Sequence, residues 1–343
     1  MASLMRAVDI RDGKGDADAL FINDKTAKPT AGAGEAVVRI KAFGLNRMDL
    51  LQRQGLYPLP PQAPATMGVE FSGVVESLGE ADSADTASFA VGDEVFGLAY
   101  GGAYAEYVRV STRMLLHKPT SLGWNEAAGL PETWLTALQA LHEVGGFRSG
   151  NDGQTTLWHA GASGVSIAGI QLSRRAGAKA VYATAGSDAK CAFVVDQLGA
   201  TAAFNYKTED WVQKMVDATD GTGVDLIVDY VGADYFQKNL TVAARDAHIV
   251  LLAFLSGAVL PAGVNISPLL IKRVRIEGSS LRSRDLDYQS RLRDRLADVL
   301  PGFHSGDLRI FVDRVLPWTE IVEAHKYMEA NMSMGKIICT IPW

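Results

Sequence analysis

Trp158-His159-Ala160-Gly161-Ala162-Ser163-Gly164-Val165-Ser166 is the stretch on which the reading of this chain turns. It follows a run suited to a short strand, Thr155-Thr156-Leu157-Trp158, and opens a helical pattern over 165–175. A turn of small residues between strand and helix lets backbone N–H groups approach an anion, and the helix N-terminus presents the positive end of its dipole. A Rossmann fold holds a dinucleotide pyrophosphate in this way. Against the pattern G-x-G-x-x-G, aligned on Gly164, the glycine positions read Gly161, Ser163 and Ser166. Small side chains keep the approach close, and Ser163 adds a hydroxyl donor. The motif alone is weak, because such turns occur in plain α/β crossovers.

Its surroundings strengthen it. Strand-like runs at 155–159, 179–184, 202–204, 225–230, 247–253 and 274–279 alternate with helical patterns at 164–176, 188–198, 208–218, 234–244 and 266–272. This rhythm predicts a parallel, doubly wound six-stranded sheet. A helical run at 134–144 precedes it. The first section reads β-rich, with strands at 35–42, 71–79 and 103–110, a turn feeding a strand at 91–96, and a small, acidic surface loop at 80–90. The tail reads as a long charged helix (284–300), a strand at 309–312, a helix at 319–330 and a strand at 336–341.

The chain has 343 residues, enough for two domains and a large core. Its 48% hydrophobic and 21% charged content fit a globular enzyme. A formal net charge of −6 and short basic clusters, Lys272-Arg273-Val274-Arg275 and Arg282-Ser283-Arg284, argue against nucleic acid as a partner. Those clusters read as phosphate contacts or solvated faces. The two cysteines, Cys191 and Cys339, lie in no metal-binding spacing, so no metal is expected; reduced thiols fit a cytoplasmic protein. The uncharged run 247–271 is long enough to span a bilayer, but Gly257, Pro261, Gly263, Asn265 and Pro268 break it into a strand, a loop and a short helix. No membrane association is expected.

The end of the second sheet strand bears on which dinucleotide is bound. An NAD site normally places an acid there, on the ribose 2′-hydroxyl. Here the strand ends Tyr182-Ala183-Thr184-Ala185-Gly186-Ser187. Ser187 and Lys190 offer a hydroxyl and an ammonium one turn apart, and Tyr206 in Phe204-Asn205-Tyr206-Lys207 reaches the same region. A 2′-phosphate needs such donors and positive charge, which predicts NADPH. Asp188 stands close by as a counter-indication. The alternative is that Ser187 only caps the next helix and Lys190 is solvated.

Separated blocks along the whole chain resemble the zinc-free quinone oxidoreductases of the medium-chain dehydrogenase/reductase superfamily, nearest to the tumour-suppressor-inducible, zeta-crystallin-like members. They include Leu45-Asn46-Arg47-Met48-Asp49-Leu50, Gln52-Arg53-Gln54-Gly55-Leu56-Tyr57, Gly68-Val69-Glu70-Phe71-Ser72-Gly73, Leu130-Pro131-Glu132-Thr133-Trp134-Leu135-Thr136-Ala137 and Leu281-Arg282-Ser283-Arg284-Asp285. The resemblance implies an α/β protein with a GroES-like β-rich catalytic domain (1–131 and 281–343) and an inserted Rossmann NADPH-binding domain (132–280), with the active site in the cleft. It implies that Asn46, Tyr57 and Thr136 lie near the nicotinamide, that Gly161, Ser163, Gly164 and Val165 hold the pyrophosphate, and that Gly186, Ser187, Lys190 and Tyr206 hold the 2′-phosphate. Phe254, Ser283, Gly335 and Lys336 are implied to line the cofactor cleft. Ser166 replaces the family's final glycine, and Ala189 stands where a second lysine is usual. Zinc relatives carry a cysteine after the second strand and a Gly-His-Glu block; here those segments read Leu45-Asn46-Arg47 and Gly68-Val69-Glu70, which lack the thiol and imidazole a zinc site uses.

The resulting expectation is NADPH-dependent reduction of small quinones, ortho-quinones included, without a metal. Asn46 and Tyr57 act as orienting groups, unless Asn46 merely caps a helical turn and Tyr57 is an ordinary loop aromatic. Reduction of an enal or enone double bond needs the same hydride geometry and stays open. So does a non-catalytic NADPH-binding protein with a sensing, crystallin or RNA-binding role. The histidines and Glu70 read as structural, Glu70 in a buried pair. A homodimer through the Rossmann domain is expected, with the apolar segment 250–264 as the contact.

Overall fold

The computed structural model describes residues 3–80, 89–148 and 153–343. Most of the acidic loop expected at 80–90 therefore lies outside the described residues. Two compact units are present: Met1–Leu135 with Arg282–Trp343, and Thr136–Leu281.

The first unit begins with an antiparallel pair, β1 (Leu4–Ile10) and β2 (Leu20–Ala27). There follow β3 (Glu35–Gly44), α1 (Arg47–Arg53), β4 (Glu70–Leu78), β5 (Glu94–Leu98), β6 (Tyr107–Ser111) and β7 (Leu115–His117). Two short helices, α2 (Trp124–Ala128) and α3 (Pro131–Leu138), lead into the second unit; α3 continues as a π-helical turn, Gln139–Val144. The helix expected at 134–144 thus starts earlier, at a proline suited to a first helical turn.

The second unit holds β8 (Thr155–Trp158), α4 (Gly164–Arg175), β9 (Ala180–Ala185), α5 (Asp188–Asp196), β10 (Ala202–Asn205), α6 (Trp211–Ala218), β11 (Val224–Asp229), α7 (Ala233–Val242), β12 (Ala243–Leu251), α8 (Ser267–Ile271) and β13 (Arg275–Gly278). All six strands run parallel in the order β10-β9-β8-β11-β12-β13. This is the doubly wound order that reverses direction beside the first strand. Central strands β8 and β9 are buried at every position, as a sheet covered on both faces requires.

The chain returns to the first unit with α9 (Leu286–Ser305), β14 (Val312–Pro317), α10 (Ile321–Glu329) and β15 (Lys336–Thr340). The last strand lies antiparallel to β3, so chain ends far apart in sequence share one sheet, ordered β14-β15-β3-β4-β5-β7 with β6 also on β3. This pairing delivers Lys336 beside β3 and β4. The strand expected at 309–312 instead begins at Val312, and the segment 247–271 resolves into a strand, turns and a short helix. Among the described residues no helix is long and apolar enough to cross a membrane.

Candidate active site

In the second unit, the turn after β8 is held tightly. Gly161 N donates to Thr184 O (2.8 Å) and Ser163 N to Ala160 O (2.8 Å). A Cβ on Gly161 would stand 2.9 Å from the Ala183 Cβ, so glycine is what lets the turn lie on β9. Ser163 is the N-cap of the 12-residue helix α4, its Oγ accepting from Ser166 N at 3.5 Å. Gly164 and Val165 form the first turn and retain some exposure. Serine at 166 does not fill a packing position: its Oγ donates to His159 O (2.6 Å) and ties the helix start to the strand end. The close-packing glycine is Gly169, whose Cβ would fall 2.2 Å from the Trp158 ring.

At the end of β9, a Cβ on Gly186 would meet the Tyr206 hydroxyl at 2.7 Å, so Gly186 and Tyr206 are direct neighbours. Ser187 caps α5, accepting from Lys190 N at 3.3 Å. Asp188 accepts from Asn205 Nδ2 (2.7 Å), which fixes that carboxylate against β10. Lys190 keeps partial exposure and Tyr206 is exposed. His159 is fully buried, bonded through Nε2 to Asn239 Oδ1 (2.7 Å) and through Nδ1 to Thr184 Oγ1 (2.9 Å). Burial holds its pKa below the usual imidazole value, so it is a neutral structural residue.

In the first unit, a buried polar cluster forms where β3, β4, α1 and β15 meet. Lys336 Nζ donates to Leu45 O (2.7 Å), Asn46 Oδ1 (2.8 Å) and Glu70 Oε1 (2.5 Å). Asn46 Nδ2 also donates to Glu70 Oε1 (2.8 Å), and Glu132 N donates to Glu70 Oε2 (2.9 Å). Gly44 leaves the space, since a Cβ there would stand 2.4 Å from Glu70 Oε1. Asp49 accepts from Asn46 N (2.8 Å) and from the Tyr104 hydroxyl (2.9 Å). Burial raises its pKa to about 6 against the opposing pull of those bonds. Beyond Tyr104, His325 Nε2 lies 3.4 Å from the phenol oxygen, and Arg53 Nη1 lies 3.1 Å from His325 Nδ1. Arg53 also pairs with Glu329.

Tyr57 lies half-buried on the same unit, with the Arg282 guanidinium carbon 5.4 Å from its ring centre. Its pKa is raised, first by burial and then by the charge of Glu132. Burial, reinforced by Glu70, pushes Glu132 up to about 8.

Asn46 and Lys336 are thus in direct contact, and Asn46, although at the N-cap of α1, has its side-chain amide engaged with Glu70 and Lys336. Thr136 carries a buried hydroxyl with no hydrogen-bond partner, Phe254 and Ser283 are exposed, and Gly335 sits at φ +122° where a Cβ would strike Phe311 O at 2.2 Å. Arg282 corrects an expectation: it is 3% exposed, donating to Tyr100 O (2.8 Å) and Gln52 Oε1 (2.9 Å), so it is not a solvated charge. Lys272 likewise donates to the carbonyls of Leu240, Thr241 and Ala243 at the end of α7. Sequence reasoning missed Glu132, Arg282 and the Tyr104–His325–Arg53 chain. An acid in an apolar Leu-Pro-Glu-Thr-Trp context was the signal available for Glu132. Among the described residues no group of three or more His, Cys, Asp and Glu side chains is placed to hold a metal ion.

Two family profiles match: the alcohol dehydrogenase GroES-like domain over residues 32–120, and the zinc-binding dehydrogenase family over residues 164–298. The chain is 28% identical to the synaptic vesicle membrane protein VAT-1 homolog of Danio rerio, over 96% of this chain and 68% of that protein. It is 29% identical to quinone oxidoreductase-like protein 2 of Bos taurus, over 94% and 89%. Among solved structures, an NAD-dependent alcohol dehydrogenase superposes with a TM-score of 0.84 at 30% identity, covering 98% of this chain and all of that one. A mycobacterial protein solved in complex with NADPH gives 0.83 at 28% identity, covering 98% and 99%. With a GroES-like sheet built from both chain ends and a doubly wound parallel sheet between them, the chain belongs to the quinone oxidoreductase branch of the medium-chain dehydrogenase/reductase superfamily.

Proposed function

We propose that this chain is an NADPH-dependent quinone reductase. The observation that carries the reading is the end of β9. No acid stands at the ribose position; Gly186 and Tyr206 are in contact, Ser187 and Lys190 follow, and Asp188 is held by Asn205. These residues fit a 2′-phosphate, and the Gly161–Val165 turn at the start of α4 fits a pyrophosphate. The bound cofactor supplies hydride from its nicotinamide. This chain supplies backbone donors, the Lys190 charge and a pocket wall at Tyr206. The resemblance to a protein solved with NADPH is consistent with this choice.

For the substrate, the donor set is the argument. At the positions flanking α1 and β4 stand Asn46 and Val69, which carry neither thiol nor imidazole. A quinone accepts hydride without strong Lewis-acid activation, because the negative charge is delocalised over the aromatic ring of the product. Asn46 and Tyr57 are then orienting groups. Asn46 is locked by Glu70 and Lys336, and Tyr57 stays a neutral phenol able to donate a hydrogen bond. The resemblance to a quinone oxidoreductase-like protein supports this substrate class.

The test is anaerobic NADPH oxidation with an ortho-quinone and an enal run side by side, with NADH as control. Quinone-dependent turnover with NADPH well above NADH is expected. Turnover with the enal alone moves the protein to the double-bond reductases, and tight NADPH binding without turnover on either overturns the enzymatic reading.

A further inference from the structure

The first unit holds a carboxyl group whose surroundings no structural role explains. Glu132 lies in the first turn of α3, and its backbone N–H is used on Glu70, yet its own Oε2 is enclosed without a hydrogen-bond partner. The residue keeps some exposure while its Oε2 is enclosed. A stabilising ion pair would show as contact with a cation. The nearby cations are engaged elsewhere: Lys336 on Glu70, and Arg282 on Tyr100 O and Gln52. Around Glu132 stand the charges of Glu70 from β4, Asp49 from α1, Lys336 from β15 and Arg282, with burial the largest influence. Desolvation and two acidic neighbours keep its proton on, up to a pKa of about 8.

A second unpartnered atom lies on the same unit. Arg282 Nη2 is a buried donor with no acceptor, and Gly101 keeps the space beside it open, since a Cβ there would stand 3.2 Å away. Arg282 also faces the Tyr57 ring. A neutral acid, on the same unit as a guanidinium that faces a half-buried phenol, forms a set that an oxygen-bearing ligand would complete.

We propose that Glu132 is the proton donor of the reduction, transferring its carboxylic proton to the oxygen anion of the reduced substrate. This rests on the quinone reading above. Hydride addition to a quinone, with the nicotinamide as reductant, leaves a hydroquinone monoanion that lacks one proton. The Glu132 O–H bond breaks, a new O–H bond forms on the substrate oxygen, and the electron pair stays on the Glu132 carboxylate, which regains a proton from water. Glu132 is therefore a catalytic residue whose pKa lies where an acid must both hold and release a proton near neutral pH.

The test compares wild type with Glu132→Gln and Glu132→Asp. With an ortho-quinone, Glu132→Gln is expected to lower kcat about 100-fold. Wild-type kcat is expected to fall above about pH 8, and Glu132→Gln should abolish that fall. Glu132→Asp should restore part of the rate and keep a titrating alkaline limb. NADPH binding, followed by fluorescence, should match wild type in both variants. Independently of turnover, infrared difference spectra at neutral pH should show a protonated carboxyl band that Glu132→Gln lacks. Full activity and an unchanged pH profile in Glu132→Gln overturn the proposal, as does the absence of that band from wild type. Turnover confined to the enal overturns the quinone reading alone; the same variants are then compared on the enal, where loss of rate in Glu132→Gln supports the acid and retention of rate overturns it.

Discussion

Lys336 Nζ stands 2.5 Å from Glu70 Oε1, and the two side chains are 5% and 0% exposed. The pair joins the last strand of the chain to β4, and Leu45 O and Asn46 complete the ammonium's bonds. The Asn46 amide and the Glu132 N–H complete those of the carboxylate. Both charges are thus hydrogen-bonded on several sides, the condition under which a buried ion pair is tolerated.

Truncating one partner leaves the other charged and desolvated. Lys336→Met is expected to destabilise the protein by about 3–5 kcal/mol, and adding Glu70→Gln should recover part of the loss. Urea titration of the single and double variants reads this directly. Equal stability of Lys336→Met and wild type would mean the pair is neutralised in the fold.

If the end of β9 holds a 2′-phosphate, the Lys190 charge should matter for one cofactor only. Lys190→Ala should raise KM for NADPH about tenfold, the equivalent of ~1.4 kcal/mol, and leave KM for NADH within twofold. Ser187→Asp should reverse the preference by placing a carboxylate where the ribose 2′ position would lie. A parallel change for both cofactors in Lys190→Ala would relocate the phosphate.

A dimer is the expectation at the other end of that sheet. Strand β13 is its edge, and the preceding segment exposes Phe254 (53%), Leu255 (55%), Val259 (87%), Leu270 (84%) and Ile271 (64%). So many exposed apolar side chains in the segment leading to an edge strand favour a self-complementary contact. Light scattering at micromolar concentration should give a dimer for wild type and a monomer for Leu270→Glu; a monomeric wild type sinks the idea.

The Rossmann half was legible because its signals are local. Apolar runs such as Leu226 to Val228 and the small-residue turn at Gly161 each declare themselves within a few residues. What stayed hidden depends on pairs far apart in sequence. Glu70 and Lys336 are 266 positions apart, and Arg282 looked like a solvated charge until its partners Gln52 and Tyr100 were placed beside it. Ser166 is a related case: the motif names the third position as the packing glycine, while here the contact with Trp158 falls one helical turn later, at Gly169. The strand β7 was missed because it is only three residues long, and β1 and β2 because charged and polar residues interrupt their half-exposed runs.

Stability should rise and fall with pH through His325 and Glu132, in opposite senses. His325 is buried beside Arg53, and burial, then the Arg53 charge, lower its pKa from 6.5 to about 3. Below pH 6.5 the unfolded chain takes up a proton that the folded chain refuses, so the His325 contribution is present above that pH and is lost as pH falls toward about 3. Glu132 keeps its proton to about 8 in the fold but loses it near 4.5 when unfolded, so its contribution declines as pH rises between those values. Each slope approaches ~1.4 kcal/mol per pH unit in the middle of its range. Between about pH 4.5 and 6.5 the two oppose each other, and Asp49, raised by burial from 3.8 to about 6, adds to the Glu132 side between those values. His325→Gln should therefore flatten the acid limb of a stability–pH curve and leave the alkaline limb intact, while Glu132→Gln does the reverse. Urea midpoints across the range for the two variants check both; unchanged limbs would mean that these side chains titrate alike in the folded and unfolded states.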